Sequence, residues 1–272
     1  MREKVVLVTG ASSGIGFETC KQLISRGFVV YGAARRLERM KVIEKMGARI
    51  LYLDVTNDKS IVDCINKIID EEGRIDVLIN NAGYGIFGSL EDVSLEEARR
   101  QMEVNVFGLA RITQIIIPNM RKLKSGRIIN ITSIGGKITT PFGGWYQASK
   151  YALESLSDSM RMDLKSFGID VAIIEPGGVK TEWSDIMLDN FINTTSEIYI
   201  DAAKKVANGT RKSYESEKMS KPSDIAKTVV RAVTDKKVKT RYVCGHQAKM
   251  ALFMRRILSD KLFDKVVSNM TS

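Results

Sequence analysis

Short runs rich in Val, Ile and Leu alternate with helical patterns along most of this chain, and that alternation leaves few folds open. Lys4–Thr9 (KVVLVT) is a nearly continuous run of apolar, mostly β-branched residues, as expected of a strand buried on both faces. A glycine turn follows, then the helical pattern Ile15–Ser25, closed by Gly27. The same unit recurs, with strands at Phe28–Ala33, Arg49–Leu53, Asp76–Ile79, Arg127–Ile131 and Asp170–Ile174. Helical patterns lie between them at Leu37–Met46, Lys59–Glu71, Leu95–Lys122 and Tyr146–Ser166, with Pro118 in the last turns of the third. Repeated β-α-β units cross over right-handed and give a parallel sheet with helices on both faces. With Arg241–Cys244 as a last strand, the sequence predicts an α/β fold: one domain built on a doubly wound, parallel, seven-stranded sheet.

Composition narrows the function classes. The chain has 272 residues, 44% hydrophobic and 27% charged, which suits a globular core and excludes disordered, collagen-like and disulfide-scaffold chains. No apolar run approaches the ~18 residues that cross a bilayer, so no transmembrane segment is predicted. The N-terminal MREKVVLVTG ends its short apolar run in a glycine turn without a small-residue cleavage site, so no signal peptide is expected. Cys20, Cys64 and Cys244 are far apart and odd in number, which predicts free thiols in a reducing cytoplasm. His246 is the single histidine, so a His-based zinc site or a Ser-His-Asp hydrolase would have to be built on it; neither is predicted, and no metal is expected. The net charge of +10 raises an anionic partner, whether nucleic acid, lipid or a phosphorylated ligand. The basic residues are dispersed, however, with no dense arm or aromatic interleaving, and no nucleic-acid partner is predicted.

Thr9–Gly16 (TGASSGIG) lies between the first strand and the first helix. Gly10, Gly14 and Gly16 permit a tight turn and let an anion approach the backbone, while the helix N-terminus offers free amides. Ser12, Ser13 and Ile15 complete this phosphate-binding candidate. Its G-x-x-x-G-x-G spacing differs from the ordinary dinucleotide fingerprint and resembles that of the short-chain dehydrogenase/reductase family, which implies a Rossmann fold and a bound nicotinamide dinucleotide. Many dinucleotide folds end the second strand in an acid for the adenosine ribose. Here that position is Ala34, followed by Arg35 and Arg36. Arginine can grip a 2′-phosphate that a carboxylate would repel, so the expected cofactor is NADP(H); one of the two arginines, Arg36 in particular, could instead simply open the next helix. The resemblance places Asp54 and Val55 beside the adenine, although an Asp closing a strand can equally cap a turn. Asn80-Asn81-Ala82-Gly83 matches the family's N-N-A-G, with Asn81, Ala82 and Gly83 against the cofactor.

Tyr146 and Lys150 stand four residues apart at the head of a helix, hence on one face. An ammonium beside a phenol favours phenolate, so the pair predicts a tyrosine with a lowered pKa, suited to acid–base work. Ser133, just past the strand Arg127–Ile131, and Asn105, in the long helix before it, complete the family's active-site set in order. The resemblance implies that Ser133 and Tyr146 hold the substrate oxygen, and that Tyr146 donates or removes the proton. It also implies that Lys150 binds the nicotinamide ribose and that Asn105 holds a water leading to Lys150. Pro176, Gly177, Val179 and Thr181 resemble the family's P-G-x-[VI]-x-T, which meets the carboxamide; a proline turn ending the strand is compatible with that.

The implied activity is interconversion of a carbonyl and a secondary alcohol by a homodimer or homotetramer. A non-catalytic NADP sensor or scaffold on the same fold is the alternative. The pattern loosens over Lys180–Lys221, a long insertion that the resemblance identifies with the family's substrate lid (182–221), expected here as a helical lid. Trp183, Met187, Phe191 and Tyr199 there, with Gly143-Gly144-Trp145, suggest an apolar or amphipathic substrate such as a steroid, retinoid or acyl ketone; core packing is the other use of each aromatic. The amphipathic tail (248–268) resembles tails of the 17β-hydroxysteroid dehydrogenase-like branch. Its expected place is over the substrate mouth or against the core rather than on a membrane, because Asp260 and Asp264 interrupt its basic residues.

Overall fold

The computed structural model describes residues 3–180, 182–216 and 218–270. Its strands are β1 (Val5–Thr9), β2 (Val29–Ala34), β3 (Arg49–Tyr52), β4 (Val77–Asn80), β5 (Gly126–Ile131), β6 (Ile169–Pro176) and β7 (Arg241–Cys244). They form one sheet in the order β3-β2-β1-β4-β5-β6-β7, with every pair parallel. The doubly wound expectation is thereby met, and the Val/Leu run of β1 is explained: that strand is central and buried at each position.

The helices are α1 (Gly14–Ile24), α2 (Lys41–Lys45), α3 (Asp58–Glu72), α4 (Leu95–Met102), α5 (Gly108–Lys122) and α6 (Gly144–Leu164). After them come α7 (Glu182–Thr194), α8 (Ile200–Glu215), α9 (Pro222–Thr234), α10 (Ala248–Ile257) and α11 (Asp260–Met270). Alternate residues of β1 feed two cores. Val6 and Val8 pack with Cys20 and Leu23 of α1, Ile43 of α2 and Val229, Val230 and Val233 of α9. Val5 and Leu7 pack with Ile61, Ile65 and Ile68 of α3, Ile112 and Ile116 of α5 and Leu164 of α6. Each such side chain contributes about 1.5–3 kcal/mol by burial. Exposed ion pairs such as Lys59–Asp63 contribute at most ~1 kcal/mol, so the two apolar layers hold the sheet.

The strand order reverses between β1 and β4, so the loops after these strands diverge and open a crevice at the carboxyl edge of the sheet. The glycine turn and Asn81–Gly83 are those loops.

Two expected helices are broken, and the lid takes a definite form. The helix expected over Leu95–Lys122 is split into α4, a π-helical turn at Glu103–Phe107, and α5. The π turn shifts the register by a residue and buries Asn105 and Val106. At its exit Gly108 lies against β3's outgoing loop, where an added Cβ would collide with the carbonyl oxygen of Val55. The loosened stretch, expected as a helical lid, is two helices, α7 and α8, joined by an apolar cluster of Met187, Leu188, Phe191, Ala203 and Ala207. The single tail helix is broken between α10 and α11, leaving Met250, Phe253 and Ile257 exposed on α10 while Phe263 of α11 is buried. Among the described residues no helix is long and apolar enough to cross a membrane. The three cysteines are free, Cys20 and Cys64 buried in the two cores.

Gly108→Ala should cost about 1–3 kcal/mol by overpacking against Val55, read as a lower urea midpoint. A midpoint equal to the parent's would mean that the backbones do not abut there.

Candidate active site

The two crevice loops are stapled by one hydroxyl. Thr9 Oγ1, at the end of β1, donates to the Ile79 carbonyl at 3.4 Å and accepts from the amides of Asn81 and Ala82, both at 3.0 Å. Asn81 Nδ2 donates back to the Thr9 carbonyl at 2.9 Å. Gly10 and Gly14 have φ of 67° and 57°, the left-handed region that makes glycine the residue for this turn. Gly16 faces the same staple: a Cβ there would lie 2.5 Å from Asn81 Nδ2 and 2.6 Å from the Gly10 oxygen. Ser13 caps α1 without a side-chain bond to it, and no acid occupies the first turn. Ser12, Ser13 and the first amides of α1 therefore form an electropositive, uncapped helix start, a donor set that fits a pyrophosphate. Ile15 packs its side chain on the core beneath.

At the adenosine end, β2 closes with Ala34 and both following arginines are exposed. Arg36 Nη2 reaches Ser12 Oγ at 3.5 Å and Ser13 Oγ at 3.4 Å, and the same residue opens a short 3-10 turn at Leu37–Met40. Arg36 thus does more than start a helix. Arg35 acts instead on Asp54. Burial raises the Asp54 carboxyl, but the Thr56 amide and hydroxyl, at 3.0 and 2.8 Å from Oδ1, with the charges of Arg35 and Arg100, hold it below the ordinary value. Asp54 caps its own turn through that oxygen, as the simpler reading of the sequence expected. Val55 is buried beside it.

Helix α6 carries the acid–base pair. Lys150 Nζ lies 5.8 Å from the ring centroid of Tyr146 and donates to the Ile131 carbonyl at 3.1 Å, at the end of β5. Ser133, two residues past that strand, accepts from the Gly135 amide at 3.0 Å and hydrogen-bonds to the Tyr146 phenol. Asn105 in the π turn is anchored from both sides. Its Oδ1 accepts from the Tyr84 amide at 3.0 Å, and its Nδ2 donates to the Tyr84 carbonyl at 2.8 Å and to Ser149 Oγ at 2.9 Å. Gly83 fits between Asn105 and Lys150, since a Cβ there would lie 3.1 Å from Asn105 Oδ1 and 3.7 Å from Lys150 Nζ. The structure brings the four expected residues to one edge of the crevice, on elements separated by up to 45 positions in the chain (150 − 105).

The expected sign of the tyrosine shift is corrected. Burial pushes the Tyr146 phenol up to about 12, with the Ser133 hydrogen bond opposing it and the Tyr214 phenol adding to it. Burial also brings Lys150 down to about 8, against the pull of Glu154. Desolvation disfavours both charged forms and is the largest cause of the shift at each group. Burial thus favours the protonated phenol and weakens the hold of the lysine on its proton.

Pro176 closes β6, and the run after it is pinned to the end of β7, to the residue two positions beyond it and to the segment before α9. Gly177 N donates to the Cys244 carbonyl at 2.8 Å, Gly178 bridges to His246, and Val179 to Ser220. Thr181 and the side chain of Trp183 lie outside the described residues. The opposite wall is apolar. Phe87 stacks on Tyr146 at 5.3 Å, and Phe142 meets Phe191 at 5.1 Å and Tyr199 at 6.1 Å. Sequence reasoning missed Thr9, Ser149 and Phe87, whose roles depend on contacts between distant elements. It also missed Glu154, for which spacing offered a signal: Glu154 repeats the four-residue step from Tyr146 to Lys150.

A family model described as short chain dehydrogenase matches residues 4–189. A 3-ketodihydrosphingosine reductase of Bacteroides thetaiotaomicron is 41% identical over 203 residues, 74% of each chain. A probable short-chain type dehydrogenase/reductase of Helicobacter pylori is 33% identical over 264 residues, 96% of each. A solved short-chain dehydrogenase from Streptomyces avermitilis superposes with a TM-score of 0.81 at 31% identity, covering 99% of this chain and 96% of that one. Similar structures hold either cofactor. A serine dehydrogenase complexed with NADP+ superposes with a TM-score of 0.78 at 28% identity, covering 89% and 94% of the two chains. An NAD+-bound xylitol dehydrogenase has a TM-score of 0.78 at 25% identity, covering 89% and 97%.

Proposed function

This chain belongs to the short-chain dehydrogenase/reductase family of oxidoreductases, and on that premise we propose that it interconverts a carbonyl and a secondary alcohol on an apolar or amphipathic substrate, with NADP(H) as cofactor. The observation that carries this reading is the Tyr146 phenol, hydrogen-bonded to Ser133 with the buried Lys150 ammonium on the same helix face. Bound NADPH would supply the hydride. Ser133 and Tyr146 hydroxyls orient the substrate carbonyl by hydrogen bonds to its oxygen, so the carbon is presented at a fixed angle. As negative charge develops on that oxygen, Tyr146 delivers its proton; in the alcohol direction it removes one. Lys150 would donate to the ribose hydroxyls of the cofactor and stabilise phenolate, and Asn105 fixes the backbone of Tyr84. The Gly10–Gly16 turn would hold the phosphates, Asp54 and Val55 the adenine, and Pro176, Gly177 and Val179, with Thr181, the carboxamide.

Two features support NADPH over NADH. β2 ends without a carboxylate, and Arg36 sits over Ser12 and Ser13 with Arg35 behind Asp54, so cations border the place a 2′-phosphate would occupy. The substrate class rests on the apolar wall of Phe87, Phe142, Phe191 and Met187, with α7 and α8 read as the lid. The Bacteroides relative is by name a reductase of 3-ketodihydrosphingosine, a ketone that agrees with an apolar site.

Tyr146→Phe should lower the rate of NADPH oxidation, measured against a panel of long-chain acyl ketones, steroids and retinoids, by about 10²–10⁴-fold. NADPH binding, followed by fluorescence, should persist; turnover at the parent rate would remove Tyr146 as the acid. Arg36→Asp should reduce the preference for NADPH over NADH by about tenfold or more, and Arg35→Asp should act in the same direction. A ratio unchanged in both variants would contradict the cofactor assignment.

A further inference from the structure

A group of buried charges stands directly behind Lys150. Glu154, one turn further along α6, is 2% exposed. The Thr132 hydroxyl donates to its Oε1 at 2.7 Å. Arg241, at the head of β7, donates to Oε2 through Nε and Nη2 at 3.1 and 3.0 Å, and Lys137 Nζ approaches the same oxygen at 3.2 Å. Arg241 also pairs with Asp158 of α6 at 2.6 Å and with Glu175 of β6 at 3.4 Å. Three carboxyls and the three cations Lys137, Lys150 and Arg241 therefore form one cluster, with Lys150, Glu154 and Glu175 buried and Lys137, Asp158 and Arg241 partly exposed. The end of β5 sets the spacing. Ile131 holds the Lys150 ammonium by its carbonyl, and the next residue, Thr132, holds Glu154. Gly136 closes in on both: a Cβ there would lie 2.8 Å from Glu154 Cγ and 3.0 Å from the Lys150 oxygen.

We propose that Glu154 is a positioning residue that keeps the buried Lys150 in its ammonium form, with Arg241 and Lys137 setting how much of the Glu154 charge Lys150 feels. The proposal rests on the reading of Lys150 as part of the oxidoreductase site. A buried ammonium needs a fixed counter-charge, and Tyr146, kept protonated by its own burial, supplies none. Lys150 faces Tyr146 and Glu154 on its own helix and Asn105 from the π turn. Glu154 faces Lys137 from the turn after β5, Arg241 from β7, Glu175 from β6 and Asp158 on α6. Arg241 holds Glu154 by two donors, which fixes the carboxylate and also takes up part of its field. Where the carboxyls crowd, Glu175 gives way, raised to about 7 by burial and by Glu154 and relieved in part by Arg241 and Lys137.

The test is the pH midpoint of Lys150 acylation by acetic anhydride, followed by peptide mass spectrometry on the whole chain. Glu154→Gln keeps the volume and the Thr132 bond but removes the charge. Its Lys150 midpoint should fall by about half to one pH unit. Lys137→Gln removes a competing cation from a half-exposed position, and its midpoint should rise by a smaller amount. Opposite shifts from two neighbouring substitutions do not arise from general loosening. The alkaline limb of NADPH-dependent turnover should move in the same two directions. Midpoints equal to the parent's in both variants would overturn the proposal; if Glu154→Gln does not fold, a midpoint that fails to rise in Lys137→Gln does so alone. Acylation does not require turnover. Shifted midpoints in a protein inactive on every carbonyl would therefore support the charge coupling and remove the oxidoreductase reading separately.

Discussion

A lysine ammonium held almost out of water, one helical turn below a phenol, is the costly arrangement that the surrounding structure maintains. Neither group would choose this setting. Burial drives the phenol to hold its proton and the lysine to lose one. The Ile131 carbonyl accepts from the cation, the carboxylate of Glu154 acts on it through space from one turn further along α6, and the amide-anchored Asn105 and Gly83 border it in front. Such a pair is poorly suited to stabilising the fold and well suited to moving a proton.

The sheet delivers these groups to one place. Because β4 and β5 are parallel neighbours, their ends lie side by side, and Gly83, Ile131 and Ser133 follow from them. Helix α6 crosses that edge with Tyr146 and Lys150 facing it, while the Thr9 hydroxyl ties the glycine turn to the loop after β4. The glycine turn and the Tyr146–Lys150 pair thus border one crevice, opened by the reversal of strand order between β1 and β4. The apolar cluster of α7 and α8 packs against Phe87, whose ring lies on Tyr146, and so joins the apolar surface beside the phenol.

Much of this was legible in the residues. The strand at Lys4–Thr9, the glycine spacing after it, and the ordered set Asn105, Ser133, Tyr146 and Lys150 are local patterns, and local patterns survive folding. Features set by distant contacts were not legible. The helix break at Glu103–Phe107 accompanies a close approach of Gly108 to Val55, more than fifty positions away (108 − 55). The tyrosine shift carried the wrong sign because spacing shows a neighbouring charge but not the water that is missing. Arg35 and Arg36 were both visible as cations, but only the backbone course after β2 shows which of them turns toward Ser12 and Ser13. Arg241 reads as an ordinary strand residue until β7 docks beside β6 and sets it against Glu154.

The most direct test of the central claim is a crystal structure with NADP+ bound, examined at Tyr146 and Lys150. The account predicts the phenol within hydrogen-bond distance of Ser133 Oγ and turned to the nicotinamide, the lysine on the adjoining ribose, and the pyrophosphate against Gly10–Gly16. A phenol turned away from Ser133, or a dinucleotide seated away from that turn, would contradict it.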